Sequence, residues 1–296
     1  MLTLVPLCLL LFWMLPADSM GAPFDFPPGQ TNQDIPLSFV EGSIDDMYNG
    51  CQKKMMEKVL KNYLKKELQD QDFKDAWSRA ARCARKRPKA EDRALTRAHM
   101  RALCVYTSDD VYEKFNEAVR TQGSAYNTTF RFHSLHFLLT SAVQILNRKH
   151  LCHTTYRRTR SVFTGRVNET IRFGTFASSS YKKDLIYFGS QTCFKIKTCS
   201  GAYLKEYSVY QDHEAEVLIP PYEAFKITRK MTGQGKEKGL QDCKAVYELE
   251  RTDEESRLNC RNVNPQGQAS SASSFRFQEM LPSSVFLTLI ALVTLI

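Results

Sequence analysis

After Lys149 the hydrophobic period of this chain changes from about 3.6 residues to 2, and that change constrains the fold more than any other feature. Before it, apolar residues recur at helical spacing. Met56, Val59, Leu60, Tyr63 and Leu64 form a stripe within residues 51–68. Phe73, Trp77, Ala80 and Ala81 form a second, and Leu135, Leu138, Leu139, Ala142 and Leu146 a third. Residues 94–106 and 108–120 complete the helical set, the latter with Ser108 or Asp109 as N-cap. Residues 82–93 are basic, hold Pro88 and read as a loop, and residues 22–43 are Pro-rich and irregular. After Lys149, β-rich runs fall at 154–163, 170–176, 192–199, 214–219, 224–228 and 244–250, with turn residues between them. Helices first and strands second predict an α+β fold rather than a parallel α/β sheet.

The two ends read as processing signals. Residues 2–15 are almost wholly apolar and precede small residues at 17–19, the pattern of a signal peptide covering 1–19. At the other end, small residues at 269–274, a polar spacer and an apolar run over 281–296 match a glycolipid-anchor signal, assigned here to 271–296. That run lacks a following Lys or Arg and is shorter than the roughly 20 residues of a spanning helix. The expectation is one domain over 20–270, helical over 51–149 and strand-rich over 150–260, exported and held at the outer membrane face or secreted.

Export makes the cysteines legible. With Cys8 in the signal, eight remain: Cys51, Cys83, Cys104, Cys152, Cys193, Cys199, Cys243 and Cys260. An even number in an exported chain argues for up to four disulfides, and the spacings do not suit zinc. Asn127 and Asn168 open glycan-acceptor sequons.

The net charge of +9 favours acidic partners without choosing among them. Arg82, Arg85, Lys86, Arg87, Lys89, Arg93, Arg97 and Arg101 form a basic stretch, but no aromatic residues interleave with it as base-stacking platforms. A solvated or membrane-facing surface is the better reading, and no nucleic-acid partner is expected. His133 and His136 share a helical face without a third ligand nearby, so core or surface histidines are expected and no metal. There is no Gly-rich phosphate loop and no GxSxG elbow.

Three strand-borne pieces remain. Glu214 and Glu216 lead into Val217-Leu218-Ile219, and the period of two puts both carboxylates on one face of a strand. Like charges so close raise each other's proton affinity, which a substrate cation would relieve. A solvated strand edge would look the same. Arg157 lies in the first β-rich run, and Ser178 follows the aromatic strand Ile171-Arg172-Phe173. A guanidinium suits phosphate or ribose oxygens, and a strand-end hydroxyl suits a sugar or amide.

In this order the three pieces resemble the arginine–serine–glutamate signature of the ecto-mono-ADP-ribosyltransferases. The resemblance runs from about Asp45 to Cys260 and includes IRFGTFASSS and EVLIPPYEAFKI. It implies NAD as co-substrate and arginine-bearing proteins as acceptors. It implies that Arg157 anchors NAD, Ser178 holds the nicotinamide end, and Glu216 stabilises an oxocarbenium-like transition state through the ribose 2′-hydroxyl. Glu214 would orient the acceptor arginine and help deprotonate it, with residues 205–213 as the presenting loop. It also implies the disulfides Cys51–Cys260 and Cys152–Cys199, leaving Cys83–Cys104 and Cys193–Cys243 as the suggested remainder. Arg158 departs from the pattern, for relatives commonly carry glycine there, and a bulky side chain beside the NAD anchor is expected. Alternatives are an NAD glycohydrolase and a non-catalytic cell-surface module of the same fold.

Overall fold

The computed structural model describes residues 34–263. The expected leader at 1–19 and the expected anchor signal at 271–296 lie outside them. No helix among the described residues is long and apolar enough to cross a membrane.

The chain enters through a short strand, β1 (Ile35–Pro36), where sequence predicted only irregular structure. The 51–68 stripe forms α1 (Gln52–Lys58), a π-helical stretch (Val59–Tyr63) and α2 (Leu64–Glu67) in unbroken succession. Next come α3 (Gln71–Cys83), α4 (Arg97–Tyr106), α5 (Tyr112–Thr121) and α6 (His133–Leu146). Asp70 caps α3 by accepting from the Phe73 amide at 3.0 Å, and Thr96 and His99 form a reciprocal capping box on α4. The 82–93 loop is shorter than expected, because α3 runs on through Cys83 and a 3₁₀ turn covers Ala90–Asp92. Neither Ser108 nor Asp109 caps α5. That helix starts after Val111 without a side-chain cap, and Asp109 sits at φ +67°, outside the extended region an N-cap needs.

The strand half contains β2 (His153–Thr159), β3 (Phe163–Thr164), β4 (Thr170–Arg172), β5 (Ala177–Ser180), β6 (Thr192–Thr198), β7 (Ala202–Tyr203), β8 (Glu216–Ile219), β9 (Glu223–Thr232) and β10 (Ala245–Glu254). β1 pairs with β3 in parallel. The other eight form one sheet in the order β4-β9-β10-β6-β2-β5-β8-β7. Its pairs are antiparallel except β10 with β6. The architecture is α+β, as the change of period predicts.

One apolar cluster fills the helical half, including Met55, Phe73, Leu103, Phe115 and Leu138, and reaches the sheet through Phe176, Ala202 and Leu218. A second, containing Phe173, Phe194, Phe225 and Tyr247, lies between sheet and entry strand. His133 and His136 belong to the helical core. His136 contacts the Tyr48 hydroxyl at 2.7 Å and the Ile44 carbonyl at 3.2 Å, and burial pushes its pKa down to about 4.

Four disulfides join Cys51–Cys260, Cys83–Cys104, Cys152–Cys199 and Cys193–Cys243. The first ties the helical half to the end of the described chain. A buried ion pair works with it: Arg172 Nη1 meets Asp45 Oδ2 at 2.9 Å, and the guanidinium also donates to the Phe39, Val40 and Glu255 carbonyls.

Candidate active site

The site sits where the sheet splits. β2 and β5 share a single residue pair, Tyr156 with Ser180, whereas β2 and β6 are paired along their whole length. Beyond that pair the two strands diverge, and the Arg157 guanidinium crosses the gap to donate to the Ser178 carbonyl at 2.8 Å. On the far side, β5 pairs with β8 so that Ser178 faces Leu218 and Ser180 faces Glu216. Arg157, Ser178 and Glu216 therefore come from three strands that only the sheet order brings together.

Glu216 opens β8 and is 3% exposed. The Ser178 hydroxyl hydrogen-bonds to its carboxyl group, while Oε2 is buried without a hydrogen-bond partner. Burial pushes its pKa up to about 8, helped by the charges of Glu214 and Asp109 and opposed by the Ser178 bond. Such an acid waits for a ligand donor or a cation.

Glu214 departs from the sequence expectation. It is not on the strand with Glu216 but in the turn closing the 3₁₀ segment Gln211–His213, at φ −97° and ψ −8°. Ala215 follows at φ +45°, so the alternation that would stack the two carboxylates is broken before β8 begins. Glu214 nevertheless faces the same centre. It is 6% exposed, and Oε1 accepts the Tyr187 hydroxyl at 3.2 Å. Burial raises its pKa, Tyr187 opposes that rise, Asp109 adds to it and Lys182 opposes it.

Asp109 is a third carboxylate, which sequence reading treated only as a helix cap. Its αL backbone turns the α4–α5 connection toward the site, and the Tyr210 hydroxyl lies 3.4 Å from Oδ2. The helical layer closes the site from beneath. Tyr106 is fully buried, donates to the Phe176 carbonyl at 2.9 Å and reaches Ser178, while Tyr112 reaches Arg157. These tyrosines end α4 and open α5, and nothing in the helical period marks them as site residues.

Residues 205–213 form a strap over one edge. Lys205 Nζ meets Asp92 Oδ2 at 2.6 Å, the buried Tyr207 hydroxyl donates to the same carboxylate at 2.9 Å, and Lys86 Nζ donates to the Glu206 carbonyl at 2.8 Å. Lys89 pairs with Glu206 at 3.1 Å. Two lysines of the basic stretch thus hold this strap, while Arg82, Arg85, Arg87, Arg93 and Arg97 are exposed.

Arg158 does not crowd the Arg157 side. Its guanidinium turns to the other face, donating to the Lys183 and Gly239 carbonyls and pairing with Asp242 at 2.8 Å. Strand alternation explains the correction: successive residues point to opposite faces. Away from the site, Asn127 and Asn168 are both exposed.

A family model described as NAD:arginine ADP-ribosyltransferase matches residues 37–245. The chain is similar to human ecto-ADP-ribosyltransferase 4, 36% identical over 207 residues that take in 65% of each chain. It is 33% identical over 240 residues to chicken NAD(P)(+)–arginine ADP-ribosyltransferase 2, covering 78% of this chain and 74% of that one. Among solved structures it is similar to the eucaryotic mono-ADP-ribosyltransferase ART2.2, with a TM-score of 0.62 and 33% identity over 76% of this chain and 98% of that one. Variants of ART2.2 have been solved in complex with NADH and with NAD.

Proposed function

The chain belongs to the NAD:arginine ADP-ribosyltransferase family, and from that premise we propose that it transfers ADP-ribose from NAD to arginine side chains of acceptor proteins. The observation that carries this reading is the buried, unpartnered Oε2 of Glu216, set beside Ser178 and across the strand gap from Arg157. A co-substrate offering a ribose hydroxyl, a cationic ring and a pyrophosphate fits that set: an orphan acceptor, a hydroxyl and a guanidinium.

NAD supplies the ADP-ribosyl group: the bond from ribose C1′ to nicotinamide breaks, nicotinamide leaves with the electron pair, and an arginine nitrogen bonds to C1′. Arg157 holds phosphate oxygens, and Ser178 helps seat the nicotinamide end. Glu216 accepts a hydrogen bond from the ribose and, once ionised, stabilises the positive charge that builds at C1′ more than it stabilises the ground state. Its high pKa in the ligand-free protein means that the arriving cation draws the proton off. Glu214 grips the acceptor guanidinium and takes the proton it releases. A carboxylate whose burial raises its basicity is suited to that step.

We also place the protein outside the cell. All eight cysteines of the described residues are paired, both sequons are exposed, and human ecto-ADP-ribosyltransferase 4 carries that location in its name. Attachment through the 271–296 signal is part of the proposal, and release from intact cells by a phosphatidylinositol-specific phospholipase tests it.

The activity test incubates the protein with NAD and agmatine, a small guanidino compound, and follows nicotinamide release and ADP-ribosyl-agmatine separately. Wild type should form the adduct, and Glu216→Gln should lose both products by at least about a hundredfold. Nicotinamide release that ignores agmatine would identify a glycohydrolase. Neither product from folded protein would leave a binding module.

A further inference from the structure

We propose that Tyr187 is a positioning residue for the acceptor, its phenol holding the Glu214 carboxylate in the orientation that receives the guanidinium. This rests on the transferase reading above and extends it to a residue outside the arginine–serine–glutamate set.

Tyr187 lies in the 3₁₀ turn Ile186–Phe188, between β5 and β6. Its hydroxyl donates to Glu214 Oε1 at 3.2 Å, tying the 186–188 turn to the turn that carries Glu214. The turn that carries it is held at both ends. Arg160 Nη2 donates to the Tyr187 carbonyl at 2.9 Å, and the Gly189 amide donates to the Ile186 carbonyl at 2.9 Å. Gly189 has φ +115°, and a Cβ there would lie 2.5 Å from the Thr159 backbone, so the turn is pressed against β2. The Tyr187 ring leans on buried Phe188 at 4.3 Å.

Tyr187 itself is 40% exposed, so its ring adds little to the core. What it does make is an oriented bond to a carboxylate that is 6% exposed. Glu214 needs that help because it sits on a turn rather than a strand, its backbone carbonyl held by the Ser180 hydroxyl. Oε1 has two lone pairs, so it can accept from Tyr187 and from a guanidinium together. The other groups acting on Glu214 are Asp109, Lys182, Tyr210 and Glu216. Among the described contacts, the hydrogen bond to its carboxylate comes from Tyr187 and from none of these four.

Tyr187→Phe tests the assignment in the full chain, expressed through a secretory host. The expected result is an agmatine KM raised about tenfold, the loss typical of one hydrogen bond to a charged group. NAD consumption without agmatine should not change. The acid limb of the agmatine kcat/KM profile should move to higher pH, because the lost bond is one that lowers the Glu214 pKa. In a Glu214→Gln background the same substitution should add no further loss. Unchanged agmatine kinetics, or equal losses with and without agmatine, would overturn the proposal. A wild type that forms no adduct would remove the transferase reading, and the role of Tyr187 with it.

Discussion

Arg157 and Arg158 are neighbours on β2 whose guanidinium groups serve opposite faces of the sheet. Arg157 reaches across the strand gap to the Ser178 carbonyl and toward Tyr112 of the helical layer. Arg158 is buried against residues 239–242 and the Lys183 carbonyl. The bulk expected beside Arg157 instead braces a loop that is also tied down by Cys193–Cys243.

Arg158→Ala should therefore act on stability and not on NAD recognition. Losing a buried guanidinium with several acceptors costs roughly 2–3 kcal/mol, with Asp242 half exposed and able to return to water. Urea unfolding should show the loss while the KM for NAD stays within about twofold of wild type, where one hydrogen bond would be worth about tenfold. A large rise in KM would place Arg158 in the cleft after all.

The acidic limb of activity should report Glu216. With its pKa pushed up to about 8, the carboxyl is mostly protonated at neutral pH in free protein, so kcat/KM for NAD should climb with pH and reach half its plateau near 8. Asp109 adds to that elevation, so Asp109→Asn should move the limb to lower pH. A profile flat from pH 6 to 9 would contradict this account.

Glu67 offers a stability test away from the chemistry. Both its carboxyl oxygens accept from the Ser134 amide, at 3.0 and 3.2 Å, and burial raises its pKa to about 8. A folded pKa above the unfolded value means the contribution is complete below about 4.5 and is lost as pH rises through 8. Glu67→Gln keeps an acceptor and cannot ionise. Relative to wild type it should gain roughly 1–3 kcal/mol between pH 5 and pH 8.5, read from melting curves.

The disulfides should rank by span. Cys51–Cys260 closes 209 residues and Cys83–Cys104 closes 21. Chain entropy makes the longer closure worth about 2 kcal/mol more, somewhat less because other disulfides lie within it. Paired Cys→Ser variants compared by urea unfolding would show this order, and a reversed order would mean that native-state strain dominates.

The helices and most strands were legible because an apolar face leaves a period in the sequence whatever it packs against. The misreadings fall where backbone conformation overrides period. The residues around Glu214 and Glu216 alternate like a strand, yet Ala215 at φ +45° puts Glu214 in a turn. Asp109 looked like a cap because caps and left-handed turns use the same residue types. Tyr187 carried no signal at all, since its one distinguishing bond is to a residue 27 positions away.

From sequence alone came the α+β order, the expectation of export from the terminal segments, and, through the family resemblance, the arginine, serine and glutamates of the candidate site. The first two are local or compositional properties, set by side-chain period and residue chemistry, and the third is an order of motifs along the chain. Tertiary structure decided which strands are neighbours, that β2 and β5 part after one residue pair, and that Glu216 is left with a buried unpartnered oxygen. Those are outcomes of long-range pairing and desolvation, which depend on every element that covers a residue and so are written at no single position in the chain.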